Sequence, residues 1–362
     1  MRLKKPFLVA EISANHNGKI SNALKLIKQA KLYGADAVKL QTYKPETMTL
    51  NSNKKYFKIK KGLWRGYKLW DLYEKAQTPY EWHKILFDYA KKLNIKIFST
   101  PFDEDAVDFL EKLNTPLYKV SSFELTDFPL IKKIASTKKP IIISTGMGTM
   151  NEIEAAFNIA KKNGSKDITL LYCVSNYPSK IEDFNLNNIS ILKKKFKCKV
   201  GLSDHSVDNR VAIAAIACGA DMIEKHIALE KQSEGLDIKF SLKGSEIGEF
   251  KKDIDVAYNL LGKNFFYRNK SENKNRVLRR SIFISSDIKK GEIFTLVLPQ
   301  QQDQHIYSWW WVDQKQLITG RESYYFNQKF LLRNFEDLLV LMHRIGFDVK
   351  LIYDGEQYEK DI

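Results

Sequence analysis

Two triplets, Ser203-Asp204-His205 and Glu224-Lys225-His226, carry the densest chemistry in this chain. Each closes a short apolar run, Val200-Gly201-Leu202 and Met222-Ile223, and so reads as a buried strand that delivers polar groups at its C-terminal tip. A helix-length stretch, Val207 to Cys218, lies between them and is closed by Gly219. Two imidazoles on neighbouring parallel strand tips can share one divalent metal, and a catalytic face made of such tips belongs to a (β/α)8 barrel. For either histidine alone, a hydrogen-bonded strand end is the plainer account. Polar groups at the other strand ends weigh against it.

Those groups form a set. Glu11 ends the first strand, ahead of Asn15-His16-Asn17-Gly18. Lys39 and Gln41, Ser99 and Thr100, Lys119, Ser121 and Ser122, Ser144 through Gly148, and Ser175 with Tyr177 follow at successive tips. Two lysines with hydroxyls and glycine amides at one rim make an anion cradle suited to phosphate and carboxylate. A metal beside that cradle can polarise a carbonyl. Glu11, the sole acid at the first tip, is the candidate proton handler. The pieces describe an enzyme that holds a phospho-carboxylate such as phosphoenolpyruvate beside an activated aldehyde.

Eight strand–helix units must position these groups. The expected strands are Phe7–Ser13, Ala37–Thr42, Lys96–Thr100, Tyr118–Ser122, Pro140–Thr145, Thr169–Val174, Lys199–Asp204 and Met222–Ile227. Their near-continuous Ile, Val and Leu runs suit parallel strands buried on both faces. The fold class is therefore α/β, a (β/α)8 TIM barrel, with a doubly wound sheet as runner-up. The long excursion 43–77, rich in aromatics, is functional in character. Thr78-Pro79-Tyr80-Glu81 reads as an N-cap opening the next helix.

The barrel is expected over 1–262, a polar linker over 263–278, a small second module over 279–337 and a tail of unassigned role over 338–362. Asp287 to Glu292 reads as a turn between short strands. No structure is assigned to Trp309-Trp310-Trp311, while a strand is expected at Val349–Tyr353.

Composition bounds the rest. The net charge of +16 is spread as lysine pairs along helices, which fits a solvated face and a field that gathers anionic substrates. No nucleic-acid role is expected. Cys173, Cys198 and Cys218 lack paired spacing and read as reduced thiols. No apolar run approaches the ~20 residues of a membrane span, and Met1 to Pro6 runs straight into the first strand, so a cytoplasmic location is expected.

The motifs Ala10-Glu11-Ile12-Ser13-Ala14-Asn15-His16-Asn17-Gly18, Gly34-Ala35-Asp36-Ala37-Val38-Lys39-Leu40-Gln41-Thr42, Ser99-Thr100-Pro101-Phe102, Ser144-Thr145-Gly146-Met147, Gly201-Leu202-Ser203-Asp204-His205 and Glu224-Lys225-His226 resemble, in order, the sialic acid synthase family. The likeness runs from residue 7 to about 295. It implies condensation of phosphoenolpyruvate with an amino-sugar aldehyde to give a nonulosonic acid. Gly62-Leu63-Trp64, Leu69-Trp70-Asp71-Leu72-Tyr73 and Glu81-Trp82 are similar to the pseudaminic acid branch, whose sugar is 2,4-diacetamido-2,4,6-trideoxy-L-altrose.

By that resemblance the catalytic residue is Glu11, the metal ligands are His205 and His226, and the ion is Mn²⁺, with Co²⁺ or Fe²⁺ as alternatives. The implied phosphoenolpyruvate contacts are Lys39, Thr100, Lys119, Ser122, Ser144 and Ser203. The sugar contacts are Gln41, Tyr177 and Asp237. Ser175 stands where the sialic branch has asparagine, and Leu236 replaces the usual proline.

Residues 279 to 295 resemble the start of the antifreeze-like (SAF) domain appended to these barrels, and the likeness breaks at Leu296. That module donates an arginine across a homodimer in the family, and no arginine here matches it. The alternatives are legionaminic or N-acetylneuraminic acid synthesis, or a catalytically impaired barrel that binds phosphoenolpyruvate.

Overall fold

The computed structural model describes residues 5–262 and 269–275 in full, and the backbone of 307–312, 317–324, 351–353 and 356–358. The chain divides into two units, Met1–Asn264 and Phe265–Ile362.

The first unit is a closed barrel. Its strands are β1 (Phe7–Glu11), β2 (Ala37–Thr42), β3 (Lys96–Pro101), β4 (Tyr118–Val120), β5 (Ile141–Ser144), β6 (Ile168–Cys173), β7 (Lys199–Asp204) and β8 (Met222–Ala228). Each pairs in parallel with the next, and β1 pairs with β8, where Glu11 stands opposite His226. A two-residue β9 (Leu242–Lys243) pairs in parallel with the end of β8. The expected (β/α)8 architecture is the one observed.

Helices α1 (Ile20–Leu32), α4 (Tyr80–Lys92), α5 (Glu104–Lys112), α6 (Phe128–Ser136), α7 (Met150–Lys162), α8 (Asn187–Phe196), α9 (Arg210–Ala217) and α10 (Glu246–Leu260) alternate with the strands. Local chemistry sets their ends. Asp103 accepts from the Ala106 amide at 2.6 Å, and Thr149 with Glu152 forms a capping box. Asn94 and Asn114 take φ of 51° and 54° just past their helices, in the left-handed region asparagine tolerates. The structure corrects one cap: α4 starts from Pro79, and the Thr78 hydroxyl is buried without a partner.

The excursion after β2 is not bare loop. It contains the short helices α2 (Pro45–Met48) and α3 (Leu69–Ala76) and a 3-10 turn at Lys55–Phe57.

Strand alternation builds the barrel interior in layers. The floor is Val9, Ala37, Phe98, Ile142 and Leu171, edged by Phe7, Leu117 and Met222. Gly201 belongs there because a Cβ would lie 2.8 Å from Leu171 Cδ2 and 2.2 Å from the Met222 carbonyl. The opposite strand faces carry Leu8, Val38, Val120, Ile143, Leu170, Leu202 and Ile223 into the main core beneath the helices. Two residues beyond the floor, the same inward-facing positions become Glu11, Lys39, Thr100, Lys119, Ser144, Cys173, Ser203 and Glu224. A period of two therefore stacks a polar layer directly on an apolar floor.

In the second unit a short helix α11 (Lys270–Asn273) precedes two antiparallel strand pairs, β10 (Tyr307–Val312) with β11 (Leu317–Tyr324) and β12 (Leu351–Tyr353) with β13 (Glu356–Tyr358). The tryptophan run, given no structure from sequence, is strand: Trp309, Trp310 and Trp311 pair with Gly320, Thr319 and Ile318. The expected linker and antifreeze-like module, including the turn at Asp287–Glu292, fall largely outside the described residues.

Candidate active site

The polar layer is an ionic cluster at the C-terminal end of the barrel. Lys39 forms an ion pair with Glu11, donates to Thr100 Oγ1 at 3.2 Å and lies 3.6 Å from Glu224 Oε1. Lys119 Nζ is 3.9 Å from the same Glu224 oxygen, which also accepts from Ser203 Oγ at 3.1 Å. All six side chains are buried. Glu224 was not among the site residues expected from sequence, although it lies two residues before His226 on the same inward face.

Burial splits the titration of these groups. It pushes the Glu11 carboxyl up to about 7, against the pull of the Lys39 ammonium and with the help of the Glu224 charge. Glu224 is also penalised by burial, yet Lys119 and Lys39 together carry its pKa below the usual value. Lys119 is moved down by burial, whereas Lys39, touching two carboxylates, is moved up despite burial. Two carboxyls with opposite shifts in one cluster separate a proton acceptor from a permanent charge.

Hydroxyls complete the cradle. Ser144 Oγ is buried with no partner, and Ser122 Oγ accepts from the Gly146 amide at 3.1 Å. A Cβ on Gly146 would meet Ser175 Oγ at 2.2 Å and Ser122 Oγ at 2.7 Å. The glycine keeps that space open.

One layer further out, Tyr177 packs on His205 with ring centroids 4.5 Å apart, and His205 on His226 at 5.3 Å. Phe240 closes the group, 4.9 Å from His226. His205 Nδ1 donates to the Val174 carbonyl at 3.3 Å, and in the neutral ring that places the lone pair on Nε2. Burial opposes charge on His205, but the nearby Cys173 sulfur and the Val174 carbonyl outweigh it and raise its pKa. Burial and then His205 hold His226 well below its usual pKa, and its Nδ1 has no hydrogen-bond partner.

An orphaned buried nitrogen on one of two imidazoles 5.3 Å apart fits a divalent ion held by two nitrogens, with remaining positions left to water and substrate. No group of three or more metal-binding side chains occurs among the described residues.

Gln41 Nε2 donates to Ser13 Oγ at 3.2 Å, and Ser13 Oγ donates to Asp237 Oδ2 at 2.6 Å. Asp237 Oδ2 lies 3.6 Å from His226 Nδ1, and burial raises the Asp237 pKa. Ser13 was missed from sequence, and only the fold reveals it as the bridge between Gln41 and Asp237. The excursion 43–77 reaches the same rim. Trp64 Nε1 donates to the Leu236 carbonyl at 3.0 Å, and its ring lies 5.3 Å from Tyr177. Every site residue expected from sequence thus lies in or around one cluster. His16 does not share its chemistry: it is buried against Trp82, with its pKa lowered to about 4 chiefly by burial.

A closed barrel with two lysines, two buried carboxyls and an imidazole pair at its functional face defines a class of anion-handling barrel enzymes. The family model of the NeuB family matches residues 26–265. The chain belongs to that family, and the resemblance to sialic acid synthases drawn from its motifs holds.

It is 47% identical over 295 residues to the pseudaminic acid synthase of Campylobacter jejuni subsp. jejuni serotype O:2, covering 81% of this chain and 85% of that one. Against the N,N'-diacetyllegionaminic acid synthase of the same organism it is 40% identical over 296 residues, covering 81% and 89%. Among solved structures it resembles the N-acetylneuraminic acid synthetase of Leptospira borgpetersenii serovar Hardjo-bovis in complex with citrate. The TM-score is 0.68 at 29% identity, over 76% of this chain and 94% of that one.

Proposed function

We propose that this chain catalyses the pseudaminic acid synthase reaction, in which phosphoenolpyruvate condenses with 2,4-diacetamido-2,4,6-trideoxy-L-altrose and phosphate is released. The observation that carries the reading is the 47% identity to a pseudaminic acid synthase, against 40% to the legionaminic acid synthase of the same organism. The buried cluster supplies the chemistry.

Lys39, Lys119, Thr100, Ser122, Ser144 and Ser203 receive the phosphate and carboxylate of phosphoenolpyruvate. Two ammoniums in a low-dielectric pocket are strong anion partners. Gln41, Tyr177 and Asp237 hold the sugar. His205 and His226 would hold a divalent ion, Mn²⁺ in this reading with Co²⁺ or Fe²⁺ as alternatives, which would supply Lewis-acid polarisation of the aldehyde carbonyl. C3 of phosphoenolpyruvate then bonds to the aldehyde carbon, and the aldehyde oxygen takes up a proton. Water adds at C2 and passes its proton to the Glu11 carboxylate. The C2–O bond to phosphate breaks as the C2 hydroxyl gives its proton to the departing phosphate, and the proton held by Glu11 replaces the one taken up by the aldehyde oxygen, so enol phosphate, aldehyde and water yield one keto acid and inorganic phosphate.

A homodimer, a C-terminal antifreeze-like domain and a cytoplasmic location are the remaining parts of this proposal, and the family resemblance supports them. Among the described residues no helix is long and apolar enough to cross a membrane.

The test is phosphate release from phosphoenolpyruvate with Mn²⁺, offering the diacetamido-trideoxyaltrose, its legionaminic counterpart and N-acetylmannosamine separately. Release with the first sugar alone is expected. Release with another sugar alone would replace the substrate, and phosphoenolpyruvate binding without release would favour an impaired barrel.

A further inference from the structure

Strand alternation sends Ser203, His205, Glu224 and His226 into the barrel, and turns Asp204 and Lys225 outward beneath the helices. There the two face each other across the β7–β8 register, in a layer of Leu202, Ile223 and Ile227. Lys225 Nζ donates to Asp204 Oδ2 at 2.8 Å and also to the Ser206 carbonyl. Asp204 Oδ1 accepts from the Ser206 amide at 2.8 Å. Their side chains are 0% and 1% exposed. Each charged residue immediately precedes one of the two imidazoles.

A buried ion pair is weak as a stabiliser, because an apolar pair of the same volume serves as well or better. What it adds is register, since two buried charges are satisfied at a single geometry while apolar side chains slide. Here the bonds also enclose Ser206, so the chain on both sides of His205 is fixed to the strand that carries His226.

We propose that the Asp204–Lys225 pair is a positioning device that sets the spacing of the His205 and His226 rings, and through it the affinity of the site for a divalent ion. This rests on the metal assignment made above. Partners behind metal-ligating histidines act in this way elsewhere, and their loss costs ~10- to 100-fold in metal affinity. Here the pair acts through the backbone of the neighbouring residue instead of by a bond to the ring.

The experiment compares full-length wild type, Asp204→Asn, Lys225→Met, the double variant and Asp221→Asn. Asp221 serves as the control because it pairs with Lys193 and receives the Val200 amide at the opposite end of the same strands. Mn²⁺ affinity is read by calorimetry, the ring nitrogen shifts of His205 and His226 by NMR of the metal-free protein, and stability by thermal melting.

The expected result is a ~10-fold or greater loss of Mn²⁺ affinity and moved ring shifts in Asp204→Asn and Lys225→Met. Asp221→Asn should lower the melting temperature without either effect. The double variant leaves no unpaired buried charge, so it folds if the singles do not, and it should still bind Mn²⁺ weakly. Wild-type affinity and wild-type ring shifts in any folded variant of the pair would overturn the proposal. A wild type that binds no Mn²⁺ would sink the metal assignment, and the ring shifts would still decide the positioning.

Discussion

Glu224 stands 3.9 Å from Lys119, both shielded from solvent, and its same oxygen lies 3.6 Å from Lys39. One carboxylate therefore balances two ammoniums that the proposed mechanism assigns to an anionic substrate. Glu224→Gln should destabilise the free protein by ~3 kcal/mol, the scale of a broken buried ion pair. Phosphoenolpyruvate should then compensate. At 100 times its Kd a ligand stabilises by about 2.7 kcal/mol, and the variant should gain more than wild type at equal concentration because Lys119 has lost its paired carboxylate while Lys39 keeps only Glu11. Thermal melts with and without phosphoenolpyruvate measure this, and an equal gain in both proteins would contradict it.

Glu11 governs the pH response. Its folded pKa of about 7 lies above the ordinary carboxyl value of 4.5, so the folded state holds the extra proton between those two values. Stability from this group is complete below about 4.5 and is lost as pH rises through 7, by about 3 kcal/mol in all. Glu11→Gln should remove that dependence. Activity should run the other way in wild type, falling about tenfold per pH unit below 7 as the base is protonated. The variant should bind phosphoenolpyruvate normally and turn over ~10²- to 10⁴-fold more slowly. An unchanged rate would remove Glu11 from the mechanism.

Gly146 leaves no room for a side chain between Ser175 and Ser122. In Gly146→Ala the added carbon must displace the Ser175 and Ser122 hydroxyls. A stability loss of ~1–3 kcal/mol is expected from overpacking. A weaker affinity for phosphoenolpyruvate should accompany it, measured by calorimetry without sugar present. Retained affinity would place the anion elsewhere.

Trp64 ties the excursion after β2 to the chain beyond β8, through its bond to Leu236 and its contact with Tyr177. Trp64→Ala should raise the KM for the sugar by ~10-fold, the scale of one lost hydrogen bond. The KM for phosphoenolpyruvate should stay unchanged, because the cradle proposed for that molecule lies one layer deeper. Steady-state kinetics in both substrates would show it, and equal shifts would refute the division.

The sequence made the barrel legible because buried parallel strands leave continuous apolar runs that punctuate regular helices. The polar tips were legible for the same reason, since a lysine or histidine closing such a run must leave the apolar layer for a polar one. Glu224 was not, because picking it out requires knowing which alternate set of Glu224, Lys225 and His226 faces inward. His226 supplied the phase, and counting back by two would have found it. Ser13 and the Asp204–Lys225 pair depend on contacts across 224 and 21 positions of sequence, which no local pattern encodes. The Thr78 cap failed because Pro79 itself takes the extended conformation, φ −52° and ψ 138°, and so occupies the cap position. The tryptophan run was unreadable because three adjacent large apolar residues break the alternation that marks a strand, yet β10 forms.

The pairing of β1 with β8 sets Glu11 beside His226. On a ribosome the first of these emerges long before the second, and Lys39, Lys119 and Ser203 appear in between. No fragment that ends before β8 can complete the cluster, because Glu224 and His226 lie on the last strand of the ring. Until then Lys39 and Lys119 lack the Glu224 carboxylate that both approach. Competence arrives in a single step, with the closure of the barrel.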